Sequence, residues 1–381
     1  MTITSYQQAI RYLESFIGKI IFKVDKEFLK KHDPLERMRV LLNLLGNPQN
    51  KFRSVLVGGT SGKGSTAYLI SHILTTAGYK TGLTISPHLQ KINERIQIGD
   101  KEISDEKFVE MVSSIVQTIE LMKMKPIGAP SYFEILIAMA FLYFVQNKVD
   151  IAVVEVGMGG EYDATNTLNP LIAVLTNVGL DHTNVLGKSV SKIARTKAGI
   201  IKGFYSCHPE FISGSPARRQ VFLQRKEMLN QASPDQHDKK QKPIVISGVS
   251  QPSVIKIVED KCKEAGSKLY ILQKDFDYKI KKESIRGSIF DLTTARGRGL
   301  QLNNLVLTLL GNYQAENASL AIEVVLNLKK FGFEVSEEHI RKALKTAFFP
   351  GRFEIIKAGP VASFPPAHLR QDYGGQASAA L

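Results

Sequence analysis

Cysteines and long apolar runs are scarce in this sequence of 381 residues. It has only two cysteines, Cys207 and Cys262, which can build neither a disulfide framework nor a structural zinc site, so a disulfide-rich secreted domain and a zinc-dependent fold are excluded. The longest apolar run, residues 135–145, is shorter than the ~20 residues that cross a bilayer. The first residues have neither a basic flank nor an apolar signal core. We therefore expect a cytoplasmic protein with no membrane partner.

A dense basic cluster is also lacking, although the formal net charge is +14, from 50 Lys and Arg against 36 Asp and Glu. The basic residues are spread along the chain, so we expect no nucleic acid partner, and a small anionic substrate accounts for the same excess. A basic nucleic-acid-binding ATPase stays open as an alternative. The hydrophobic share of 43% and the charged share of 23% are typical of a folded, soluble protein.

Apolar periodicity predicts alternating helices and strands. Apolar residues at three- and four-residue spacing predict helices over residues 6–17, 34–45, 63–78, 105–121, 131–147, 189–200 and 252–265. Short apolar runs predict strands over residues 54–58, 80–85, 150–156, 171–177, 242–247 and 268–273, and antiparallel strands within 275–309. Such alternation indicates parallel strands joined by helical crossovers. The predicted fold class is therefore α/β, a doubly wound, mostly parallel sheet with a small antiparallel β addition.

Two segments interrupt this pattern. Residues 203–241 contain three prolines and mixed charge without a sustained period, and residues from Ala358 onward combine Pro, Gly, Ala and Ser. We expect one domain over residues 1–357, interrupted by a disordered insertion at 203–241 and followed by an unstructured tail at 358–381.

A glycine-rich segment, GTSGKGST (59–66), stands between a predicted strand and a predicted helix. The backbone N–H groups of such a turn and the positive end of the helix converge on one point, which is the geometry that binds phosphate. Lys63 can reach the β- and γ-phosphate oxygens of a nucleotide, and the hydroxyl of Ser65 can ligate Mg²⁺. Val57 replaces the first glycine of the common P-loop, and Gly64 stands where Ser or Thr is usual. An ordinary glycine-rich turn is therefore the alternative.

Two further predicted strands end in polar residues. Glu155 lies where the strand at 150–156 meets glycines, and His182 follows the strand at 171–177. Ligands gather beyond the carboxyl ends of the strands in such sheets. A carboxylate and an imidazole beside a phosphate site suit Mg²⁺, although His is an uncommon ligand of this ion. Either residue alone is more readily explained as structural, but the pair at one sheet edge predicts a metal site.

The motifs of the chain together resemble those of a known enzyme family. In chain order they are GTSGKGS (59–65), TISPHL (84–89), NERI (93–96), SYFEI (131–135), EVGMGGEYDATN (155–166), TNVGLDHTNVLG (176–187), IARTKAGIIK (193–202), GNYQAENASLA (311–321) and PGRFE (350–354). This set closely resembles folylpolyglutamate synthase/dihydrofolate synthase, the folate branch of the Mur-ligase family, over about residues 1–202 and 242–356. The family forms an amide at the expense of ATP: a substrate carboxylate attacks the γ-phosphate, and the amine of L-glutamate attacks the resulting acyl phosphate.

The resemblance implies a P-loop NTPase-like Mur-ligase central domain. This domain uses ATP and Mg²⁺ to add L-glutamate to a folate or to dihydropteroate, and the resemblance leaves the choice of acceptor open. It implies that the following residues bind ATP: Gly59, Thr60, Gly62, Lys63, Gly64, Ser65, Thr66, Asn317 and Arg352. The metal ligands that it implies are Ser65, Ser86, Glu155 and His182, and the catalytic residues are Lys63, Glu155, His182 and Lys197.

Three further residues gain a role only through the resemblance. Lys197 matches a carbamylated lysine, in which an uncharged amine has captured CO₂; an ordinary helix lysine is the alternative. Phe133 and Asp163 match positions that contact the pterin, and a core phenylalanine is the alternative for the first of them. We expect a monomer.

The sequence departs from the family after PGRFE (350–354). The family continues into an Asp-Gly-Ala-His-Asn motif and a second α/β domain, whereas this sequence continues as AGPVASFPPAHLRQDYGG (358–375). We therefore expect the C-terminal Mur-ligase domain to be absent and ligation by this chain to be absent or very weak. The alternative function is a remnant that binds nucleotide or folate without ligation. A cell-wall Mur ligase acting on a UDP-sugar peptide is a further alternative, against which the GKGS and SPHL motifs argue.

Overall fold

The computed structural model describes residues 3–18, 33–203, 242–294 and 300–351. The predicted insertion at 203–241, apart from Gly203, and the predicted tail at 358–381 lie outside the described residues. Arg352 also lies outside them.

The predicted helices and strands occur among the described residues in the predicted order. The helices are α1 (Tyr6–Glu14), α2 (Glu36–Leu44), α3 (Lys63–Thr76), α4 (Asp105–Lys123), α5 (Tyr132–Gln146), α6 (Thr183–Leu186), α7 (Val190–Ala198), α8 (Pro252–Ala265), α9 (Tyr313–Leu328) and α10 (Glu337–Thr346). The strands are β1 (Arg53–Gly58), β2 (Thr81–Thr84), β3 (Gln97–Ile98), β4 (Lys101–Glu102), β5 (Ile151–Glu155), β6 (Ile172–Leu175), β7 (Ile244–Ser247), β8 (Lys268–Ile271), β9 (Phe276–Ser284), β10 (Gly287–Thr294) and β11 (Gln301–Leu307). Every predicted helix and strand is confirmed, whereas α6, α9, α10, β3 and β4 were not predicted.

The strands form two sheets. The larger sheet has eight strands in the order β4-β3-β2-β5-β1-β6-β7-β8. Its parallel pairs join the six neighbouring strands β2, β5, β1, β6, β7 and β8. The short strands β3 and β4 add antiparallel pairs at one edge, and β9, β10 and β11 form a separate antiparallel sheet. The predicted fold class, a mostly parallel α/β sheet with a small antiparallel addition, is confirmed.

Helices cover both faces of the larger sheet. Alternate residues of a strand point to opposite faces, so Leu56 and Val154 join a core with α1, α2, α4, α5, α7 and α8. Val57 and Val153 join a second core with α3, α9, α10 and the small sheet. This two-sided burial explains why the central strands are continuous apolar runs. Each fully buried valine or leucine side chain stabilises the fold by about 1.5–3 kcal/mol.

No helix in the described part of the chain combines the length and the apolar character that crossing a membrane requires.

Candidate active site

Four strands of the larger sheet end together at one edge. Val57 of β1 pairs with Glu155 of β5, Gly58 pairs with Leu175 of β6, and Thr84 of β2 pairs with Val154. The segments that follow these strands therefore begin side by side. The structure thus brings together the glycine-rich segment, Glu155 and the residues after β2 and β6, as the carboxyl edge of a parallel sheet requires.

The glycine-rich turn at 59–62 is held by the segment that follows β6. Asn177 accepts a hydrogen bond from the Thr60 N–H at its backbone oxygen (3.0 Å) and one from the Ser61 N–H at its side-chain Oδ1 (2.8 Å). The Thr176 hydroxyl donates to the Ser61 oxygen at 2.6 Å. Sequence reasoning assigned no role to Thr176 or Asn177, although their place directly after a neighbouring strand was a signal for one.

Two glycines of the turn have no room for a side chain. Gly59 has φ of +145°, and a Cβ there would lie 1.9 Å from the Thr176 hydroxyl oxygen. Gly62 has φ of +77°, and a Cβ there would lie 2.3 Å from Oδ1 of Asn317. Only glycine adopts these conformations without strain. Asn317 also accepts a hydrogen bond from the Thr66 hydroxyl at 3.4 Å, so α9 contacts the start of α3 as well as the turn.

Two lysine amines point at the same turn. Lys63 is the first residue of α3, and its Nζ donates to the Thr60 oxygen at 3.2 Å. Lys197 is only 2% exposed, and its Nζ donates to the Gly59 oxygen at 2.8 Å. Burial and the nearby Lys63 charge lower the pKa of Lys197 to about 8, against the opposing effect of Asp181. Together with the positive end of α3, these amines make the turn strongly favourable for an anion.

Oxygen ligands lie at the neighbouring strand ends. Glu155 is buried, and its Oε2 accepts a hydrogen bond from the Ser86 N–H at 2.7 Å, so these two residues are adjacent. Ser65 is buried in the first turn of α3. Carboxylate and hydroxyl oxygens, completed by phosphate and water, are the ligands that Mg²⁺ prefers. These residues therefore fit the ion.

His182 lies on the segment that follows β6. It comes seven residues after the end of β6, and its ring is half exposed, with Nε2 3.5 Å from Oδ1 of Asp181. Among the described residues, no group of three or more His, Cys, Asp and Glu side chains is arranged to hold a metal ion. A metal site here therefore needs the hydroxyls of Ser65 and Ser86 and a bound phosphate in addition to Glu155 and His182.

The loop that carries Ser86 is anchored by a carboxylate that sequence reasoning did not single out. Glu94 accepts hydrogen bonds from the backbone N–H groups of Leu89 (2.5 Å), Gln90 (2.6 Å) and Lys91 (2.7 Å). Partial burial raises the pKa of Glu94, but these three donors outweigh it and hold the pKa below its ordinary value. The NERI motif thus fixes the loop after β2.

Arg95 links the same loop to α5. Its Nε donates to Nδ1 of His88 at 2.8 Å, and its guanidinium lies 5.9 Å from the ring centre of Tyr132. Burial lowers the pKa of Arg95, and Tyr132 and Glu155 oppose that shift. A cation is therefore held close to the Glu155 carboxylate.

Phe133 and Asp163 border the glycine-rich loop after β5. The Phe133 ring packs so closely on Gly157 that a Cβ there would lie 2.4 Å from its Cζ. Asp163 is buried and accepts hydrogen bonds from the Met158 N–H (2.9 Å) and from the N–H (3.0 Å) and hydroxyl (2.5 Å) of Thr165. The carboxylate of Asp163 thus holds its own loop, and Phe133 lies against that loop while remaining partly exposed.

Comparisons with known proteins agree with this architecture. The sequence-family model of the Mur ligase middle domain matches residues 57–325 of the chain. The chain is 31% identical to the dihydrofolate synthase/folylpolyglutamate synthase of Bacillus subtilis (strain 168) over 368 residues, which cover 96% of this chain and 74% of that one.

Solved structures give the same result. The folylpolyglutamate synthase of Thermotoga maritima superposes with a TM-score of 0.72 at 32% identity, over 92% of this chain and 68% of that one. A folylpolyglutamate synthase complex with AMPPCP and folate superposes with a TM-score of 0.75 at 30% identity, over 93% of this chain and 74% of that one.

Proposed function

Because the chain belongs to the folylpolyglutamate synthase/dihydrofolate synthase family of Mur ligases, we propose that it is an ATP-dependent ligase that joins L-glutamate to a folate or to dihydropteroate. The observation that carries this proposal is the convergence of the turn at 59–62, Lys63, Lys197 and Glu155 at one edge of the parallel sheet. We further propose that the protein acts as a monomer in the cytoplasm.

The turn and the start of α3 bind the phosphates of ATP. The backbone N–H groups there and the helix end favour negative charge, and the Lys63 amine leaves the Thr60 oxygen to meet the β- and γ-phosphates. Gly59, Gly62 and Gly64 let the backbone approach the phosphates closely. Asn317 of α9 lies against Gly62 of the turn and accepts a hydrogen bond from Thr66 of α3. Arg352, outside the described residues, is proposed to bind ATP from the same side.

Mg²⁺ is proposed to bind beside these phosphates. The residues that would hold it are Ser65, Ser86, Glu155 and His182, of which Ser86 and Glu155 are in contact. The ion would neutralise charge that develops on the transferred phosphoryl group. Glu94 and Arg95 keep the Ser86 loop in place for that role.

Lys197 is proposed to carry a carbamate. Its amine is buried and its pKa is lowered to about 8, so a useful share of it is uncharged near neutral pH and able to attack CO₂. The product would be an anion beside the turn. A plain lysine at this place would instead add a second positive charge near Lys63.

The ligation itself proceeds in two steps. A substrate carboxylate attacks the γ-phosphorus and ADP leaves; the glutamate amine then attacks the acyl carbon and phosphate leaves. The chain contributes by aligning the nucleotide, because correct positioning removes several kcal/mol of barrier. The exposed part of the Phe133 ring is proposed to stack on the pterin, with Asp163 holding the loop on which that ring rests.

The test is product formation by the full chain. With ATP, Mg²⁺ and bicarbonate present, phosphate release should require both L-glutamate and an acceptor, and mass spectrometry should detect the glutamyl product. Tetrahydrofolate and dihydropteroate offered separately identify the acceptor. ATP binding without any product from either acceptor would contradict the ligase. It would agree with the very weak ligation expected from the departure after PGRFE (350–354) and favour a protein that binds nucleotide or folate without ligation.

A further inference from the structure

A second basic site lies at the opposite edge of the larger sheet. A cavity of about 460 Å³ is lined by Lys242, Ile244, Lys268, Lys330 and Phe331. Ile244 is the first residue of β7 and pairs with Lys268, the first residue of β8. The cavity therefore lies at the amino ends of the parallel strands, whereas the turn at 59–62 follows their carboxyl ends.

Two of the three amines gather around one aromatic ring. Nζ of Lys268 lies 4.9 Å from the ring centre of Tyr270, and Nζ of Lys330 lies 5.4 Å from the same centre. Lys330 also donates to the Tyr270 hydroxyl at 3.1 Å and to Oδ1 of Asn327 at 3.3 Å. The electron-rich ring face attracts cations, so Tyr270 keeps the amines close together despite their like charge.

No carboxylate of the described residues forms an ion pair with any of these three lysines. The buried Glu323 is linked to Lys330 through Asn327, because its Oε1 accepts from Asn327, which in turn accepts from Lys330. Three positive charges around one cavity repel one another, and an anion bound between them removes that repulsion.

We propose that this cavity binds a small phosphate-bearing molecule. Lysine amines bind phosphate as point charges, whereas planar carboxylates are more often matched by arginine. The buried side chains of Ile244 and Phe331 supply an apolar wall, and the volume is within the usual range for small-molecule sites. The phosphate belongs either to an inorganic polyphosphate or to an organic phosphate such as a nucleoside diphosphate.

The test uses the full chain with Lys63→Ala, so that the turn at 59–62 contributes little to binding. Pyrophosphate and ADP are titrated separately by calorimetry, and acetylation of each lysine is followed by mass spectrometry. Either ligand should slow acetylation of Lys242, Lys268 and Lys330 at least about threefold, since charge-assisted contacts cover the amines. Acetylation of the exposed Lys101, in β4 at the far edge of the sheet, should not change.

Adding Lys268→Ala and Lys330→Ala should weaken binding of the better ligand at least about tenfold, because two charge-assisted contacts are lost. Both residues are exposed, so the fold should tolerate the change, and Lys101→Ala is the matched control. Tighter binding of ADP than of pyrophosphate assigns a role to the apolar wall, and equal binding assigns the site to phosphate alone. The proposal is overturned if neither ligand protects the three lysines, or if the double variant binds as tightly as the Lys101→Ala control.

Discussion

Lys197 shows how one residue acquires unusual chemistry from its surroundings. The residue lies near the end of α7, and its side chain is buried beside the turn at 59–62. Water no longer stabilises its charge, and Lys63 repels it. The resemblance to the family pointed to Lys197, but the chain pattern alone does not distinguish it from other lysines of a helix. Burial and the neighbouring Lys63 cation are the physical reason why the pKa of Lys197 is lowered.

The first prediction concerns the pH dependence of this amine. With a pKa of about 8, roughly a tenth of the Lys197 amines are neutral at pH 7 and most are neutral at pH 9, whereas an ordinary lysine is almost wholly charged. In ¹³C-labelled bicarbonate, a carbamate NMR signal should therefore rise between pH 7 and 9 with a midpoint near 8. The N-terminal amine also forms a carbamate in this pH range, so the Lys197 signal is the part that Lys197→Gln lacks. Equal carbamate signals from wild type and Lys197→Gln at every pH would contradict the assignment.

At the scale of the elements, a single side chain holds the loop between β2 and the NERI motif. The Glu94 carboxylate accepts three consecutive backbone N–H groups of this loop, which also contains Ser86. A glutamine has one oxygen acceptor in place of two and brings an amide N–H₂ toward the same donors. The charged form of Glu94 is therefore the form that the fold requires.

Glu94→Gln should lower the free energy of unfolding by about 1–3 kcal/mol, because charge-assisted hydrogen bonds to a partly buried group are lost. The measurement is urea denaturation at pH 7. Glu110→Gln, which alters an exposed pair with Lys107, is the control and should cost less than about 1 kcal/mol.

The difference between wild type and Glu94→Gln should depend on pH. The folded-state pKa of Glu94 is below its ordinary value of 4.5, so the stabilisation is complete above that value and is lost as pH falls through the folded-state pKa. A cost that is equal at pH 7 and at low pH would show that the carboxylate charge is not responsible.

The elements themselves were largely predictable. A strand that is buried on both faces is a continuous apolar run, so β1, β5 and β6 were recognisable in the sequence. Because these strands pair in parallel, the position of Glu155 at the carboxyl edge of the sheet was predictable as well. The strands β3 and β4 were missed because two residues are too few to show alternation. The four-residue helix α6 was missed for the same reason. The longer helices α9 and α10 were also not predicted.

Contacts between distant segments were not predictable from periodicity. Ser61 and Asn177 are 116 positions apart, and Thr66 and Asn317 are 251 apart. Their hydrogen bonds depend on how β6 and α9 pack against the turn, which no local pattern specifies. The orientation of the Asp163 side chain was not predictable either, because its carboxylate accepts a hydrogen bond from Met158 within its own loop.

At the scale of the whole molecule, the site lies on a sheet that is packed against a hydrophobic core on each face. One core joins the sheet to the N-terminal helices, and the other joins it to α3, α9 and the small sheet. The turn at 59–62 therefore contacts elements from both sides: Lys197 of α7 donates to Gly59, and Asn317 of α9 lies against Gly62. This support holds the backbone of the turn in a shape that suits phosphate.

The central claim is that this turn and Lys63 bind the phosphates of ATP, and calorimetric titration of the full chain with ATP and Mg²⁺ tests it most directly. Lys63→Ala removes the amine that meets the β- and γ-phosphates, so ATP affinity should fall at least about tenfold. Lys125→Ala, which removes an exposed lysine after α4, changes the net charge equally and should leave affinity unchanged. Equal ATP affinity for the wild type and Lys63→Ala would contradict the account.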